Sequence, residues 1–479
     1  MGNSVKFRLK LHIDEKRNKV VLAEAEQDFV DVLLSLLTLP VGNVARLLEN
    51  HKTFPGVLQC YKNLNKSVAD MGINHFETEA CKTMLMDVRS SKDIHRRRLK
   101  MNMSYTYPTK FFVCPSFLKS DPHSHSTYSN FNSTRCRCGD LMTSQILVPE
   151  EEQVEEGIGN NEDGVFVNCR SSFIITDDLK VTSNSIAVLM KVLNDQGYAG
   201  FSDLKETLID VGFEEVRTIL GCLFTSEAAL TCAFLRKTCM TRNIRMLSPP
   251  ALKNVKVCSV EVYVRKLDRE ILYAECNGDF VDSLLSFLVH PLELACALSN
   301  DNTVLRCVGN LLRSPCRRAA SVSLDLPNEY ICSNNNLLDY SHQSRTYECL
   351  IPRNCGSYSS CTVAMDIDSS LLSFDDKIVC LDPNNPKIKS VTSSGCGTGF
   401  MKKNTKFIVS NDLTITPMTT SSTTGLLKKL QVDIGDLERY HLSISKVELI
   451  SILKASLVSS SALTKGLSNL LVKKPKEEA

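Results

Sequence analysis

The sequence predicts an α+β protein of two tandem homologous domains, each a β-hairpin plus helices, a cysteine-bearing insert, and a strand followed by terminal helices. Three observations lead there. One pattern occurs twice: Ala23-Glu24, Asp28-Phe29-Val30-Asp31, Leu33-Leu34-Ser35, Leu37 and Pro40 recur as Ala274-Glu275, Asp279-Phe280-Val281-Asp282, Leu284-Leu285-Ser286, Leu288 and Pro291. Self-similarity of this kind marks a duplicated fold. The chain opens on strict alternation, with Phe7, Leu9, Leu11 and Ile13 apolar and Lys6, Arg8, Lys10 and His12 between them, which is the period of a half-buried strand. Behind it Val30, Leu33, Leu34 and Leu37 take helical spacing.

Each element follows in order. The polar run 14–18 turns the first strand into Lys19-Val20-Val21-Leu22-Ala23, completing a hairpin; the second copy repeats this with strands over 257–264 and 271–274 around a turn at 266–269. The next element is a helix with Asp28 as its N-cap and Asp31 in its first turn, stopped by Pro40. The pairs Asp28/Asp31 and Asp279/Asp282 are read as capping and helix-dipole groups rather than acid–base chemistry. A polar middle segment carries cysteines. Copies re-synchronise after it, with Phe166, Phe173, Asp178 and Leu179 falling on Phe400, Phe407, Asp412 and Leu413. Phe173-Ile174-Ile175 and Phe407-Ile408-Val409 read as buried strands. Helical stretches are expected over 185–193, 203–208 and 214–223, matched by 425–430, 436–442 and 446–457, and both copies end in Ala-Leu-Thr, at 229–231 and 462–464. Ser248-Pro249-Pro250 marks the boundary. The domains are therefore 1–237 and 255–472, with a linker at 238–254 and a tail at 473–479.

With 479 residues, 43% hydrophobic and 23% charged, the chain has material for more than one core. A net charge of +2 supplies no field that would make nucleic acid or an anionic membrane the obvious partner. Its start, Met1-Gly2-Asn3-Ser4-Val5-Lys6-Phe7, lacks a signal h-region, and no run approaches the roughly 20 apolar residues of a membrane span. The twenty cysteines are accordingly read as reduced thiols of an intracellular protein, cytoplasmic or nuclear.

The best chemical candidate lies in the first middle segment. Cys136-Arg137-Cys138-Gly139 can form a knuckle presenting two sulfurs to one Zn²⁺, Cys114 adds a third, and His123 or His125 a fourth. Such a site would be structural, offsetting a small local core. The second copy keeps Cys349 over Cys114 and Cys361 over Cys138, with Cys355 between them, but has Ser359 where the first has Cys136. Its claim to a metal is correspondingly weaker. Gly395-Cys396-Gly397-Thr398-Gly399 lacks the Lys-Ser/Thr of a P-loop and leads toward a strand, so it is a turn. His95-Arg96-Arg97-Arg98-Leu99-Lys100 is read as a solvated basic face, and the acid-rich 149–163 as a loop. No nucleophile elbow or His-Glu-x-x-His is present, and no catalytic or cofactor-binding residue is assigned.

The doubled motif, the Cys-x-Cys-Gly, Phe173-Ile174-Ile175-Thr176-Asp177-Asp178-Leu179, and Lys454-Ala455-Ser456-Leu457 with Ala462-Leu463-Thr464 together resemble a plant family known as domain of unknown function 674. The resemblance spans nearly the whole chain. It implies a flowering-plant protein from an expanded gene family and no established activity, and the incomplete cysteine set departs from the family pattern. The preferred function is a non-enzymatic interaction or scaffold protein with protein partners. The alternatives are an enzyme with its site between the domains, and a zinc-knuckle nucleic-acid binder using Arg96 to Arg98.

Overall fold

A computed structural model describes residues 5–51, 56–88, 90, 92–104, 110–118, 127–129, 131–136, 138–146, 164–167, 171–236, 256–298, 305–317, 346–350, 373–379, 400–430 and 434–471. The first half runs β1 (Phe7–Asp14), β2 (Lys19–Ala25), α1 (Gln27–Ser35), α2 (Val41–Leu48), α3 (Gln59–Asp70), α4 (Glu79–Met86) and α5 (Asp93–Arg97), then short strands β3 (Phe111–Val113), β4 (Thr127–Ser129) and β5 (Ser144–Ile146). It closes with β6 (Phe173–Thr176), β7 (Val181–Ser183), α6 (Ile186–Asp195), β8 (Lys205–Val211), α7 (Phe213–Cys222) and a π-helical turn at Thr231–Arg236. The second half runs β9 (Lys256–Arg265), β10 (Ile271–Asn277), α8 (Gly278–Val289), α9 (Leu292–Leu298), α10 (Arg306–Leu312), β11 (Thr346–Leu350) and β12 (Ser373–Val379). It ends with β13 (Lys406–Ser410), β14 (Ile415–Pro417), α11 (Thr420–Leu430), β15 (Leu437–Ser445), α12 (Lys446–Val458), α13 (Ala462–Gly466) and α14 (Ser468–Leu471).

The architecture is α+β, with antiparallel sheets. One five-stranded sheet has the order β7-β6-β2-β1-β8 and another the order β14-β13-β10-β9-β15, so the two halves lay down their strands in the same sequence. Local details also recur. Both opening hairpins turn through a residue in left-handed conformation, Asn18 (φ 46°) and Arg269 (φ 61°), and both Asp-Leu turns do so at Leu179 (φ 61°) and Leu413 (φ 60°). A left-handed Leu is held against an intrinsic penalty of roughly 1–2 kcal/mol, offset here by hydrogen bonds from Leu179 N to Thr176 O and from Leu413 N to Ser410 O. The Ala-Leu-Thr ends have a physical role: Thr231 Oγ1 accepts from Val20 N and donates to Asp177, while Thr464 Oγ1 accepts from Ile271 N. Each pins a terminal turn to the start of β2 or β10.

Two sequence expectations are corrected. Residues 203–208 and 436–442 are not helices: 205–211 and 437–445 are edge strands paired along β1 and β9, with Phe7 opposite Val211 and Tyr440 opposite Val262. Leu204 and Leu208, four apart, imitate a helical stripe, but tertiary pairing decides the conformation. Asp28 is not the N-cap either; Glu26 holds that position without a side-chain cap bond, and Asp28 ion-pairs with Lys100.

The inner faces of both sheets, α1–α3, α7–α10 and α12 contribute to one continuous apolar core, while α6 and α11 cover outer faces through small separate clusters around Val21, Leu22 and Ile174 and around Leu272 and Ile408. The halves interlock. Pro40 and Pro291 form an antiparallel bridge in which Val41 N donates to His290 O and Leu292 N to Leu39 O, both at 2.9 Å. Gly42 of α2 is pressed against α8, where a Cβ would stand 2.8 Å from Leu288 O. Helix α3 packs on α8 and β14.

Candidate metal centre

The third sheet, in the order β12-β11-β4-β3-β5, combines strands from the middle segments of both halves. At the C-terminal end of β3 stands the thiol cluster. Cys114 directly follows Val113, and Cys136 and Cys138 sit in a tight reversal between Thr134 and Met142, closed by Met142 N to Thr134 O and Cys136 N to Asp140 O, both 2.8 Å. Gly139 takes φ +101°, which an L side chain rarely adopts, so the turn that presents the sulfurs depends on this glycine. Arg135 donates to Gly139 O at 2.8 Å across the same turn.

The three Sγ atoms all lie within 4.8 Å of one another, and Cys114 Sγ is 3.6 Å from Cys138 Sγ. Thiolates around tetrahedral Zn²⁺, at Zn–S of about 2.3 Å, are separated by roughly 3.8 Å, so the spacing fits. Three sulfurs select a borderline-soft cation, not Mg²⁺ or Ca²⁺. Cys114 and Cys136 are fully buried and Cys138 is exposed, which leaves an approach from one side. Burial raises the Cys136 and Cys138 thiols, and in each the neighbouring Cys114 sulfur adds to the effect. His123 and His125 lie outside the described residues, as do Cys355, Cys361 and the side chain of Cys349, whose backbone is in β11.

Other cysteines lie apart from this cluster. Cys60, Cys296 and Cys307 are pushed up to about 12 and Cys81 to about 11 by burial, so they are inert thiols packed in the core. The basic cluster at 95–100 departs from the solvated face expected from sequence at Arg96, while Arg98 and Lys100 are exposed. Arg96 is 1% exposed, pairs with Asp93 and donates to Thr38 O at 3.0 Å and Thr38 Oγ1 at 2.8 Å; Lys100 is taken by Asp28. Arg96 is thereby withdrawn from the surface that nucleic-acid binding would require.

Buried ionisable groups that sequence reasoning assigned wrongly or passed over are spent on the backbone and on one another. Asp31 accepts from Val165 N (2.9 Å), Phe166 N (2.8 Å) and Val167 N (2.9 Å), and Asp282 accepts from Met401 N (2.8 Å). Burial raises both carboxyls, Asp282 strongly. Glu293, 6% exposed, is pushed up to about 7 by burial despite its 2.5 Å pair with Arg317. The doubled Asp-x-x-Asp was the available signal; the distant loops it holds were not visible locally.

His290 gives a pH prediction. It is fully buried beside the Pro40–Pro291 bridge, and burial lowers its pKa from 6.5 to about 4. The unfolded chain therefore binds the proton first: the contribution is intact above pH 6.5 and lost as pH falls from 6.5 toward 4, by roughly 2–3 kcal/mol. Leu39 occupies the matching place in the bridge. Between pH 7 and 4.5, urea unfolding of His290→Leu is expected to lose about 2 kcal/mol less stability than wild type; equal losses would show that His290 titrates alike in the folded and unfolded chain, with no depression by burial.

Fold and site together define an α+β protein with two like-ordered sheets and a cysteine cluster outside them. The chain belongs to the family described as Protein of unknown function (DUF674), whose profile matches residues 3–447. No curated protein and no solved structure gives a significant match. Among the described residues no helix is long and apolar enough to cross a membrane.

Proposed function

We propose that the chain is a non-enzymatic interaction or scaffold protein of the plant cell interior, a tandem duplicate of one unit spanning 1–237 and 255–472, with its first insert stapled by one structural zinc. The observation that carries the reading is the convergence of Cys114, Cys136 and Cys138 in a segment of short strands. A metal there supplies cross-linking where apolar burial is thin, with His123 or His125 completing the set. The deepest ionisable groups support the same reading, because Asp31, Asp282 and Arg96 each hold chain segments in place rather than facing a common reaction centre. Duplicated units then offer paired surfaces to protein partners.

Metal analysis and native mass spectrometry of reduced protein, before and after a chelator, test this. One zinc per chain is expected, with Cys136→Ser abolishing it and leaving the two large sheets folded by circular dichroism. A reduced wild-type protein that retains no metal would contradict the staple. A zinc whose removal leaves the insert's hydrogen exchange unchanged would contradict its structural role.

A further inference from the structure

The contacts between the halves are reciprocal. Asn63 Nδ2 of α3 donates to Asp412 O of the second half at 2.9 Å, and Asn310 Nδ2 of α10 donates to Asp178 O of the first at 2.7 Å. Cys60 Sγ donates to Ser459 O at 3.4 Å, and Cys307 Sγ to Ser226 O at 3.2 Å. Ile415 N donates to Ser67 Oγ, while Cys316 Sγ donates to Val181 O. Each half thus lays its helices over the strand turn and terminal segment of the other, and at the centre Pro40 meets Pro291. A contact in which one patch meets its own counterpart is the signature of an isologous, two-fold interface, here written into a single chain.

The apolar side chains beneath it, among them Leu37, Leu39, Val41, Val44, Leu284, Leu288 and Leu292, are all fully buried and belong to the one shared core. Separated halves would expose that face to water, which favours reassociation over independence.

We propose that this face is a self-sufficient homotypic docking surface whose partner is a second unit of the same fold: the halves stay paired without their covalent joint, and a half from a second copy of this chain can take the place of the resident one. The proposal does not depend on zinc.

A protease site inserted between Ser248 and Pro249 of the full chain, cut after folding, tests it. Native mass spectrometry and light scattering are expected to show both fragments in one particle with the mass of the uncut chain. Cut protein mixed with isotope-labelled cut protein and incubated just below its melting temperature should yield hybrid particles. Asn63→Ala with Asn310→Ala should raise the dissociation constant of the cut particle about tenfold. Fragments that separate at micromolar concentration or precipitate on cutting overturn the proposal, and mixtures that never form hybrids overturn the exchange with a second copy.

Discussion

Replacing Asp31 by alanine is expected to destabilise the protein by about 4 kcal/mol, because three buried backbone N–H groups would lose their acceptor at once and each unsatisfied group carries a penalty of roughly 1–3 kcal/mol. The donors are Val165, Phe166 and Val167, where the chain re-enters the core from its first insert. Gly164 is part of the device: a Cβ there would stand 2.7 Å from Asp31 Oδ2, so the backbone could not come close enough. Asp282 does the same for the second insert through Met401. Asp31→Asn should fall between, since its amide keeps one acceptor but turns an N–H toward a donor. Chemical denaturation of the variants gives the number, and an Asp31→Ala chain within 1 kcal/mol of wild type would show that the loop has other partners.

The second large effect is expected at Tyr61. It is fully buried in α3, where its hydroxyl accepts from Ser456 Oγ of α12 at 3.0 Å. Truncation to alanine removes a large aromatic from the shared core and should destabilise by about 4 kcal/mol, whereas Tyr61→Phe forfeits only the hydrogen bond, about 1 kcal/mol. The Ala variant reports on the second half as much as the first. Gly42 and Leu288 form a second tight contact of the same kind.

Much of this fold was legible because its local signals agree with its tertiary pairing. The alternation from Phe7 to Ile13, the hairpin turns and the stripe Val30-Leu33-Leu34 lie in the elements they predict, with Leu37 in a 3-10 turn, Leu36–Thr38, that follows α1. The edge strands at 205–211 and 437–445 were misread because their apolar spacing is ambiguous and only the neighbour across β1 or β9 resolves it. The thiol cluster was partly legible: Cys136, Cys138 and Cys114 come together as spacing suggested. The buried Arg96 was not, because a run of basic residues carries no mark of the one whose stem crosses the core to Thr38. Likewise, the Asp-x-x-Asp repeat showed that both positions matter, while the role of Asp31 depends on a loop far along the chain.

The central claim is that two like-ordered sheets share one core and stand or fall together. Native-state hydrogen exchange of wild type and Tyr61→Ala measures it strand by strand. The account predicts that amides of β1 and β2 and amides of β9 and β10 lose protection in parallel, by the same free energy within error. Loss confined to one sheet, with the other retaining its wild-type protection, would show two independently stable domains and contradict the shared core.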